Sequence, residues 1–485
     1  MKKNKIEKKR SVKKNAILSV IKQLFSIIFP MITFPYATRI LGVENYGKYT
    51  FSVSIVNYIS YIAAAGILRY AVRECARGRD DKKKLHRLVN EIYTINISTT
   101  IVAYLILFAL LAFVPMLREY VLWIMLISLS VLFTTIGTDW INSAFEDYFF
   151  ITIRYILSQM VALSLLFLLV RNQDDITQYV IVSIFGGILA NILNVLHIRR
   201  TLKIVPRLIY SKQLLNHIKP ILYLFGSTIA TVIYINSDVT LLRIYADDAS
   251  VGYYGVSTQF YQLVKQLINA AFIVIIPRIS NELAKDKSLA YSRYNKILTV
   301  TILVMIPCAT GLFMIRNNLI LLFSGEEYLK ATSSLAILAV SLIPAMTANF
   351  FINIVMIPLG MEKKVMIATI TSGIVNIGLN FVLIPIFAEN AAAFTTLIAE
   401  ISMILIAMFY CRSMKFRSVI KAIVTGIVGA GVIVLVCFLL NSIISNYFAN
   451  IVLCITISSM FYGVVILIFY REKVMSIIRD MLISR

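Results

Sequence analysis

Apolar runs of about 18 or more residues follow one another along almost the whole chain, and each run is long enough to cross a bilayer as a helix. Within hydrocarbon, the backbone of such a run must satisfy its own hydrogen bonds, which a helix does. The chain of 485 residues is 59% hydrophobic and only 15% charged, whereas soluble domains carry about a quarter charged residues. The sequence therefore predicts an all-α polytopic membrane protein.

We predict about 14 transmembrane helices of roughly 20 residues each. With the N-terminus inside, roughly 38 of the 47 Lys and Arg residues fall on the cytoplasmic side and about 7 on the outer side, as the positive-inside rule expects. Omitting one helix would reverse the sidedness of all later loops and spoil this charge asymmetry. The asymmetry therefore supports the 14 spans, with which both termini are predicted to be cytoplasmic. The predicted spans are residues 15–40, 48–68, 90–112, 120–141, 150–170, 176–196, 216–242, 252–276, 296–315, 331–357, 365–386, 391–410, 418–440 and 448–470.

Several function classes lack their usual motifs in this chain. The net charge of +23 does not indicate nucleic-acid binding, because the basic residues lie in short loops between apolar runs. The five cysteines have no spacing typical of a disulfide framework or a zinc site. The three histidines, His86, His197 and His217, form neither a metal pair nor a catalytic triad. We therefore expect no enzymatic activity and no cofactor, apart from coupling to a sodium ion or a proton.

The stretch from residue 34 to residue 49 contains a near match to a phosphate-binding P-loop. Gly42 and Gly47-Lys48 have the required spacing, but Tyr49 stands where a Ser or Thr must bind magnesium, and helices rather than a strand flank the loop. On the predicted topology this stretch also faces outward, where ATP is scarce. We interpret it as the outer turn between the first two helices.

A weak internal repeat divides the chain into two halves. Tyr46-Gly47-Lys48-Tyr49 follows the first span, and Val251-Gly252-Tyr253-Tyr254 follows the seventh. Six helices separate the two motifs, so the halves have the same orientation, as in parallel repeats of transporters. The predicted division is a basic cytoplasmic tail (1–14), an N-lobe with spans 1–6 (15–210), a C-lobe with spans 7–12 (211–412), two extra spans (413–471) and a cytoplasmic tail (472–485).

Polar side chains recur at helical spacing in four spans, two from each predicted lobe. Charges in hydrocarbon are costly, so such faces line a bundle interior or a wet cavity. The four stripes are Ser19, Lys22, Ser26 and Thr33; Thr50, Ser54, Asn57 and Tyr61; Ser227, Thr231, Tyr234 and Asp238; and Thr258, Tyr261, Lys265 and Asn269.

The basic members of these stripes predict a cationic cavity for an anionic substrate such as phosphate or pyrophosphate. Lys265 lies in the middle of its span, whereas Lys22 is only about two turns into its helix. Arg39 lies near an outer helix end. The alternative is that Lys22 and Arg39 extend to the lipid headgroups. The predicted substrate-binding residues are Lys22, Arg39, Lys265, Asn57, Tyr61, Tyr261 and Asn269.

A second polar group offers oxygen ligands. Asp238 lies in span 7, Asn376 and Asn380 lie four residues apart in span 11, and Thr395 and Thr396 begin span 12. A carboxylate with amide and hydroxyl oxygens suits a sodium ion or a proton-linked site. The alternative is interhelical hydrogen bonding, which Asn and Thr commonly provide in membranes.

Four motifs together resemble the polysaccharide-transporter branch (Wzx-type repeat-unit flippases) of the multidrug/oligosaccharidyl-lipid/polysaccharide exporter superfamily. The motifs occur in the order of that family and cover most of the chain. They are residues 34–42 with Tyr46-Gly47; Asp139-Trp140 with Glu146; Ser237-Asp238 with 251–254; and 373–380 with Ile384-Pro385 and 391–400.

The resemblance implies two six-helix lobes in a V around a central cavity, with two extra C-terminal helices. It implies flipping of polyprenyl-pyrophosphate-linked oligosaccharide repeat units from the inner to the outer leaflet of a bacterial cytoplasmic membrane, for capsule, O-antigen or exopolysaccharide biosynthesis. Related flippases have a cation site on helices 7, 11 and 12, which corresponds here to Asp238, Asn376, Asn380 and Thr396. Some relatives carry a carboxylate where Asn380 stands, so ion coupling stays open.

The expected partners are the lipid-linked oligosaccharide, the bilayer, and the polymerase and glycosyltransferases of the same pathway. Other members of the superfamily flip peptidoglycan precursors or exchange drugs for cations, and both functions are alternatives here. A basic cavity disfavours drug cations. A third alternative, a membrane polysaccharide polymerase, would have a large extracellular loop or a catalytic acidic motif in a loop, and the sequence has neither.

Overall fold

A computed structural model describes residues 12–78, 81–283, 287–412, Met414 and 419–483. All regular secondary structure in these residues is helical, so the predicted all-α polytopic fold is confirmed. Ten helical segments among them are long and apolar enough to cross a membrane, by length and composition. Two of these, Ile17–Gly78 and Glu362–Tyr410, each contain two predicted spans, and spans 7 and 8 correspond to two further helices. The prediction of about 14 spans is consistent with this arrangement.

The helices are named here in chain order. They are α1 (Val12–Ala64), α2 (Ile67–Gly78), α3 (Lys82–Phe113), α4 (Val121–Gly137), α5 (Asp139–Ala144), α6 (Tyr148–Leu169), α7 (Ile176–His197), α8 (Leu214–Tyr245), α9 (Asp248–Leu283), α10 (Lys287–Phe323), α11 (Ala331–Asn349), α12 (Glu362–Tyr410), α13 (Val419–Ile443) and α14 (Tyr447–Ile483). Short 3₁₀ segments occupy Pro115–Tyr120 and Glu326–Tyr328, and π-helical segments occupy Ile198–Leu202 and Phe350–Met356.

The described residues form two compact units that divide between Thr240 and Leu241, near the end of α8. The first unit contains α1 to α7 and most of α8, and the second contains α9 to α14. The lobe boundary expected from the sequence, between residues 210 and 211, would place all of α8 in the second lobe and stays a prediction. The predicted tails, 1–14 and 472–485, lie partly outside the described residues.

In each of two pairs of predicted spans, the two spans are separated by a single residue with a non-helical backbone. Gly42 has φ 72° and ψ 176° inside α1, and the backbone is helical on both sides of it. A positive φ favours glycine, so the outer turn expected over residues 34–49 is reduced to one residue, and Gly47 is part of the helix. Ala388 breaks α12 in the same way, with φ 45° and ψ −125°. Because Ala388 has a Cβ, this conformation is strained by roughly 1–3 kcal/mol.

A glycine contact joins the last two helices in the second unit. A Cβ at Gly429 of α13 would lie 2.1 Å from a ring carbon of Tyr462 in α14, so only glycine fits beneath that ring. The Tyr462 hydroxyl donates a hydrogen bond to the carbonyl of Leu303 in α10, at 2.6 Å. Small residues at helix contacts allow this close approach in membranes. The ring therefore fixes α14 against both α13 and α10.

Candidate functional site

The first unit contains an open cleft of about 300 Å³ that is lined by residues of α1, α5 and α6. Lys22 lies on its wall, half-buried, and its ammonium group is 5.7 Å from the centre of the Tyr155 ring. That distance is within the range of a cation–π interaction. The other polar side chains of the wall belong to Ser19, Gln23, Ser26, Asp139, Ser143 and Tyr148. The predicted cationic residue thus faces a polar cleft with aromatic walls.

A carboxylate in the same cleft is held by a buried arginine. Arg154 Nη2 donates to Asp139 Oδ1 at 2.6 Å. The Arg154 side chain is 5% exposed, whereas that of Asp139 is 34% exposed. Arg154 Nε and Nη1 are buried and have no hydrogen-bond partner among the described residues, although the guanidinium carbon lies 5.6 Å from the centre of the Phe150 ring. The arginine therefore pairs with a carboxylate that faces the cleft.

The short helix α5, which begins at Asp139, is fixed at both ends. Thr138 and Glu146, on either side of it, have positive φ values of 49° and 55°, which strain residues other than glycine. Asn142 in α5 donates to the side chain of Asn194 in α7, and Asn194 donates to the Gly137 carbonyl at 2.5 Å. These buried bonds determine where Asp139 lies.

Three other predicted residues of the first unit lie outside this cleft. Asn57 donates to Asn236 Oδ1 at 3.1 Å, which joins α1 to α8. Arg39 and Tyr61 are exposed. The side chains of Ser227, Thr231 and Tyr234, on the predicted polar face of span 7, lie outside the described part of the chain.

In the second unit, the predicted cation Lys265 is paired with an acidic residue. Lys265 Nζ lies 3.1 Å from Glu400 Oε1 and 3.4 Å from the Tyr261 hydroxyl, to which it donates. Glu400 is 5% exposed and Tyr261 is 3% exposed. Because both charges are largely buried, their mutual attraction offsets the large desolvation penalty that either charge would have alone. The ion pair links α9 to the second half of α12.

The sequence prediction did not include Glu400 as a site residue, although the chain contains a signal for it. Glu400 is the only charged residue in the predicted span 391–410. An ionisable side chain within an apolar span is by default a functional candidate, and it needs a partner. The charge of Lys265 could have suggested that partner.

Asn269 lies one turn beyond Lys265 and continues the same face of α9. It accepts a hydrogen bond from the Asn349 side chain at 2.6 Å, and Asn353 donates to Asn349 Oδ1. The predicted stripe of Tyr261, Lys265 and Asn269 therefore makes polar contacts with neighbouring helices of the second unit.

Three of the four residues predicted to bind an ion belong to the second unit. Asn380 donates to Asn376 Oδ1 at 3.3 Å, and Asn376 donates to the Thr395 hydroxyl at 3.4 Å. Thr395 donates to Asn380 Oδ1, which closes a buried ring of hydrogen bonds. Thr396 is within hydrogen-bond distance of the Tyr254 hydroxyl, at 3.2 Å.

Asp238 is 5% exposed and belongs to the first unit. The oxygen ligands that the second unit supplies are therefore amide and hydroxyl oxygens. No group of three or more His, Cys, Asp or Glu residues within the described ranges could hold a metal ion.

Two curated proteins are similar to this chain over most of its length. A protein of Escherichia coli (strain K12) named "Putative O-antigen transporter" is 22% identical over 407 residues, which cover 84% of this chain and 98% of that protein. A protein of the same name from Shigella dysenteriae is 24% identical over 413 residues, which cover 83% of this chain and all of that protein.

Solved structures of two transporter types share the fold. The lipid II flippase MurJ in an inward closed conformation has a TM-score of 0.77 and 17% identity, over 94% of this chain and 99% of that one. A multidrug resistance transporter of the MATE family, in the MOP superfamily, has a TM-score of 0.64 and 12% identity, over 82% and 99% of the two chains. Residues 12–283, more than half of the chain, match the family model described as polysaccharide biosynthesis protein. The resemblance that the four motifs predicted is thus confirmed: this multi-pass membrane protein belongs to the polysaccharide biosynthesis protein family.

Proposed function

We propose that this protein flips polyprenyl-pyrophosphate-linked oligosaccharide repeat units from the inner to the outer leaflet of a bacterial cytoplasmic membrane. The repeat units would serve O-antigen, capsule or exopolysaccharide biosynthesis. Family membership and the O-antigen transporter names of two relatives support the polysaccharide pathway. The fold shared with a lipid II flippase is compatible with a lipid-linked substrate.

The observation that carries the proposal is the position of Lys22 in a cleft that also has hydroxyl, amide and tyrosine side chains. A pyrophosphate group needs positive charge, and an attached sugar needs polar and aromatic walls. The polyprenyl chain can stay in the bilayer, so the protein has to provide only the surroundings for the polar head.

Transport of this kind requires no covalent change in the substrate, so the protein acts as a transporter and not as an enzyme. Alternating access of the cavity to the two membrane faces would move the head group. The excess of basic residues in alternate loops supports cytoplasmic N- and C-termini. The polymerase and the glycosyltransferases of the same pathway would be functional partners, since they use and supply the lipid-linked unit.

Coupling to a sodium ion or a proton is a further part of the proposal. In the second unit the proposed site consists of Asn376, Asn380 and Thr396, and a contribution of Asp238, in the first unit, is what the family resemblance implies. Its support is chemical, because all four residues are buried and offer oxygen atoms, which hard cations prefer. No other cofactor is proposed.

Complementation of a strain that lacks the gene tests this function. We expect the wild-type gene to restore the appearance of lipid-linked repeat units at the outer leaflet, measured by their accessibility to an added glycosidase. At equal protein levels, Lys22→Gln should slow this appearance at least tenfold, the effect of losing one charge-assisted hydrogen bond. Lys212→Gln, at an exposed loop position, is the matched control and should export normally.

Adding a second strain, which lacks its peptidoglycan-precursor flippase, separates the alternative substrates. Failure of the wild-type gene to restore the repeat units would contradict the proposal. Rescue of a strain that lacks its peptidoglycan-precursor flippase, without rescue of polysaccharide export, would identify that precursor as the substrate. Normal export by Lys22→Gln would exclude Lys22 from binding.

A further inference from the structure

We infer that the cleft of the first unit is a sugar-recognition subsite, in which Asp139 accepts hydrogen bonds from the sugar that adjoins the diphosphate bound by Lys22. This inference rests on the proposed function and assigns to Asp139 a role in choosing the sugar. Asp139 and Lys22 line the same cleft of about 300 Å³, a volume at the lower end of small-ligand sites.

The lining of the cleft has the chemistry that a sugar requires. A carboxylate accepts hydrogen bonds from hydroxyl groups, and hydroxyl and amide side chains both donate and accept. Tyrosine rings cover the less polar faces of a sugar ring and keep a hydroxyl available. Asp139, Gln23, Ser143, Tyr148 and Tyr155 provide these groups together.

The Asp139 carboxylate has one oxygen engaged and one available. Oδ1 accepts from Arg154, whereas Oδ2 has no hydrogen-bond partner in the described parts of the chain, and the side chain is 34% exposed. The Arg154 side chain is 95% buried, so it fixes the carboxylate from behind without occupying the cleft. Hydrogen bonds to an ionised acceptor are about twice as strong as neutral ones, which makes Asp139 the strongest hydrogen-bond acceptor in the cleft.

Two features favour a role for this arrangement beyond that of a structural ion pair. Buried arginine donors are usually satisfied, yet Arg154 Nε and Nη1 have no partner among the described residues. The helix that begins at Asp139 is also flanked by strained backbone at Thr138 and Glu146. Strain of this kind persists where the surrounding structure enforces it, and it clusters at ligand sites. The chain thus holds an incompletely satisfied ion pair at one position on the cleft wall.

Binding of two defined lipids to the full-length protein in nanodiscs tests the subsite. The probes are polyprenyl diphosphate and polyprenyl-diphosphate-N-acetylglucosamine. We expect the wild type to bind the sugar-bearing lipid more tightly. Asp139→Asn should weaken binding of that lipid by about tenfold to a hundredfold, the range for one hydrogen bond to a charged group, and leave the sugar-free lipid unaffected. Lys22→Gln should weaken the binding of both lipids. Asp174→Asn, at an exposed position, should weaken the binding of neither.

A second variant keeps the test decisive if Asp139→Asn does not fold. Tyr155→Phe keeps the ring beside Lys22 and removes only a hydroxyl that has no hydrogen-bond partner among the described residues. It should reduce the preference for the sugar-bearing lipid about fivefold, the effect of one neutral hydrogen bond. The subsite would be overturned by variants that fold and keep the full preference for the sugar-bearing lipid, or that weaken the binding of both lipids equally. If the wild type binds neither lipid, the proposed function itself fails, which is a different result.

Discussion

The ammonium group of Lys265 lies 3.1 Å from the carboxylate of Glu400, and this pair links α9 to α12 within the second unit. The two side chains are only 21% and 7% exposed. A diphosphate that bound Lys265 would have to replace this carboxylate. Lys265, which the sequence predicted as a cationic substrate-binding residue, is therefore paired. Its role in substrate binding stays a prediction, and it would require the substrate anion to replace the Glu400 carboxylate.

Glu400→Gln should destabilise the protein, because it leaves the Lys265 charge without its buried partner. We expect a loss of roughly 3–5 kcal/mol in the free energy of unfolding, measured by thermal unfolding in detergent. Glu44→Gln is the control, since Glu44 pairs with Lys48 at 2.9 Å but is 69% exposed, and exposed pairs contribute about 0–1 kcal/mol. Equal melting temperatures for the two variants would show that the buried pair does not stabilise the fold.

The double variant Lys265→Met/Glu400→Leu separates stability from transport. Apolar replacement of both members removes the unpaired charge, so the melting temperature should return to near that of the wild type. Export of repeat units should still be reduced if Lys265 contacts the diphosphate. Wild-type export by the stable double variant would exclude both residues from the transport path.

The packing of Tyr462 on Gly429 predicts opposite effects for two glycines of the same helix. Gly429→Ala places a Cβ within 2.1 Å of the Tyr462 ring and should lower the free energy of unfolding by about 1–3 kcal/mol. Gly431→Ala meets nothing within 4 Å and should be neutral or stabilising, because alanine favours a helix over glycine by roughly 1 kcal/mol. Thermal unfolding in detergent measures both. A Gly429→Ala protein as stable as wild type would contradict the described contact between α13 and α14.

The loop between α6 and α7 predicts a small dependence of stability on pH. Backbone N–H groups of Arg171 and Asn172 donate to the Asp175 carboxylate and lower its pKa below the ordinary value. The contribution of Asp175 is therefore fully present above the ordinary carboxyl pKa, and it is lost as the pH falls through the lower pKa of the folded protein. Asp175→Ala should lower the melting temperature slightly at pH 7 and converge with wild type in acid. Asp174→Ala, at the exposed neighbouring position, should match wild type throughout. A constant difference across the pH range would contradict the role of the charge.

A sodium ion at the proposed oxygen site should stabilise the folded protein. Replacing choline chloride with sodium chloride at ten times the dissociation constant should add about 1.4 kcal/mol to the free energy of unfolding. Asn380→Ala should abolish this gain, whereas Asn441→Ala, at an exposed position of α13, should keep it. Equal stability of the wild type in both salts would exclude sodium at this site and leave the proton as the candidate.

The helices and their approximate ends could be predicted because membrane spans are local in sequence: each is one apolar run. Lys22 and Lys265 could be selected for the same reason, since a charge inside such a run is conspicuous. The partner of Lys265 is 135 residues away, and no local pattern shows which faces of α9 and α12 meet. The single-residue break at Gly42 was also beyond the sequence, because a polar stretch indicates a turn without giving its length.

The cleft in the first unit shows the same limit. Asp139 could be recognised as part of a family motif, but its role depends on Arg154 behind it and on Lys22, which lies on another helix. The strained conformations of Thr138 and Glu146 have no sequence signature, because neither residue is a glycine. A position could be predicted where a single residue indicates the feature in the sequence. It could not be predicted where the feature arises only from tertiary packing.

The most direct test of the central claim is lipid flipping by the purified protein in sealed proteoliposomes. The measured quantity is the rate at which polyprenyl-diphosphate-N-acetylglucosamine placed in one leaflet becomes accessible to a membrane-impermeant glycosidase from the other side. We predict a rate well above that of protein-free liposomes, and a rate at least tenfold lower for Lys22→Gln. A wild-type rate equal to that of protein-free liposomes, with the protein folded and inserted, would contradict the proposed function.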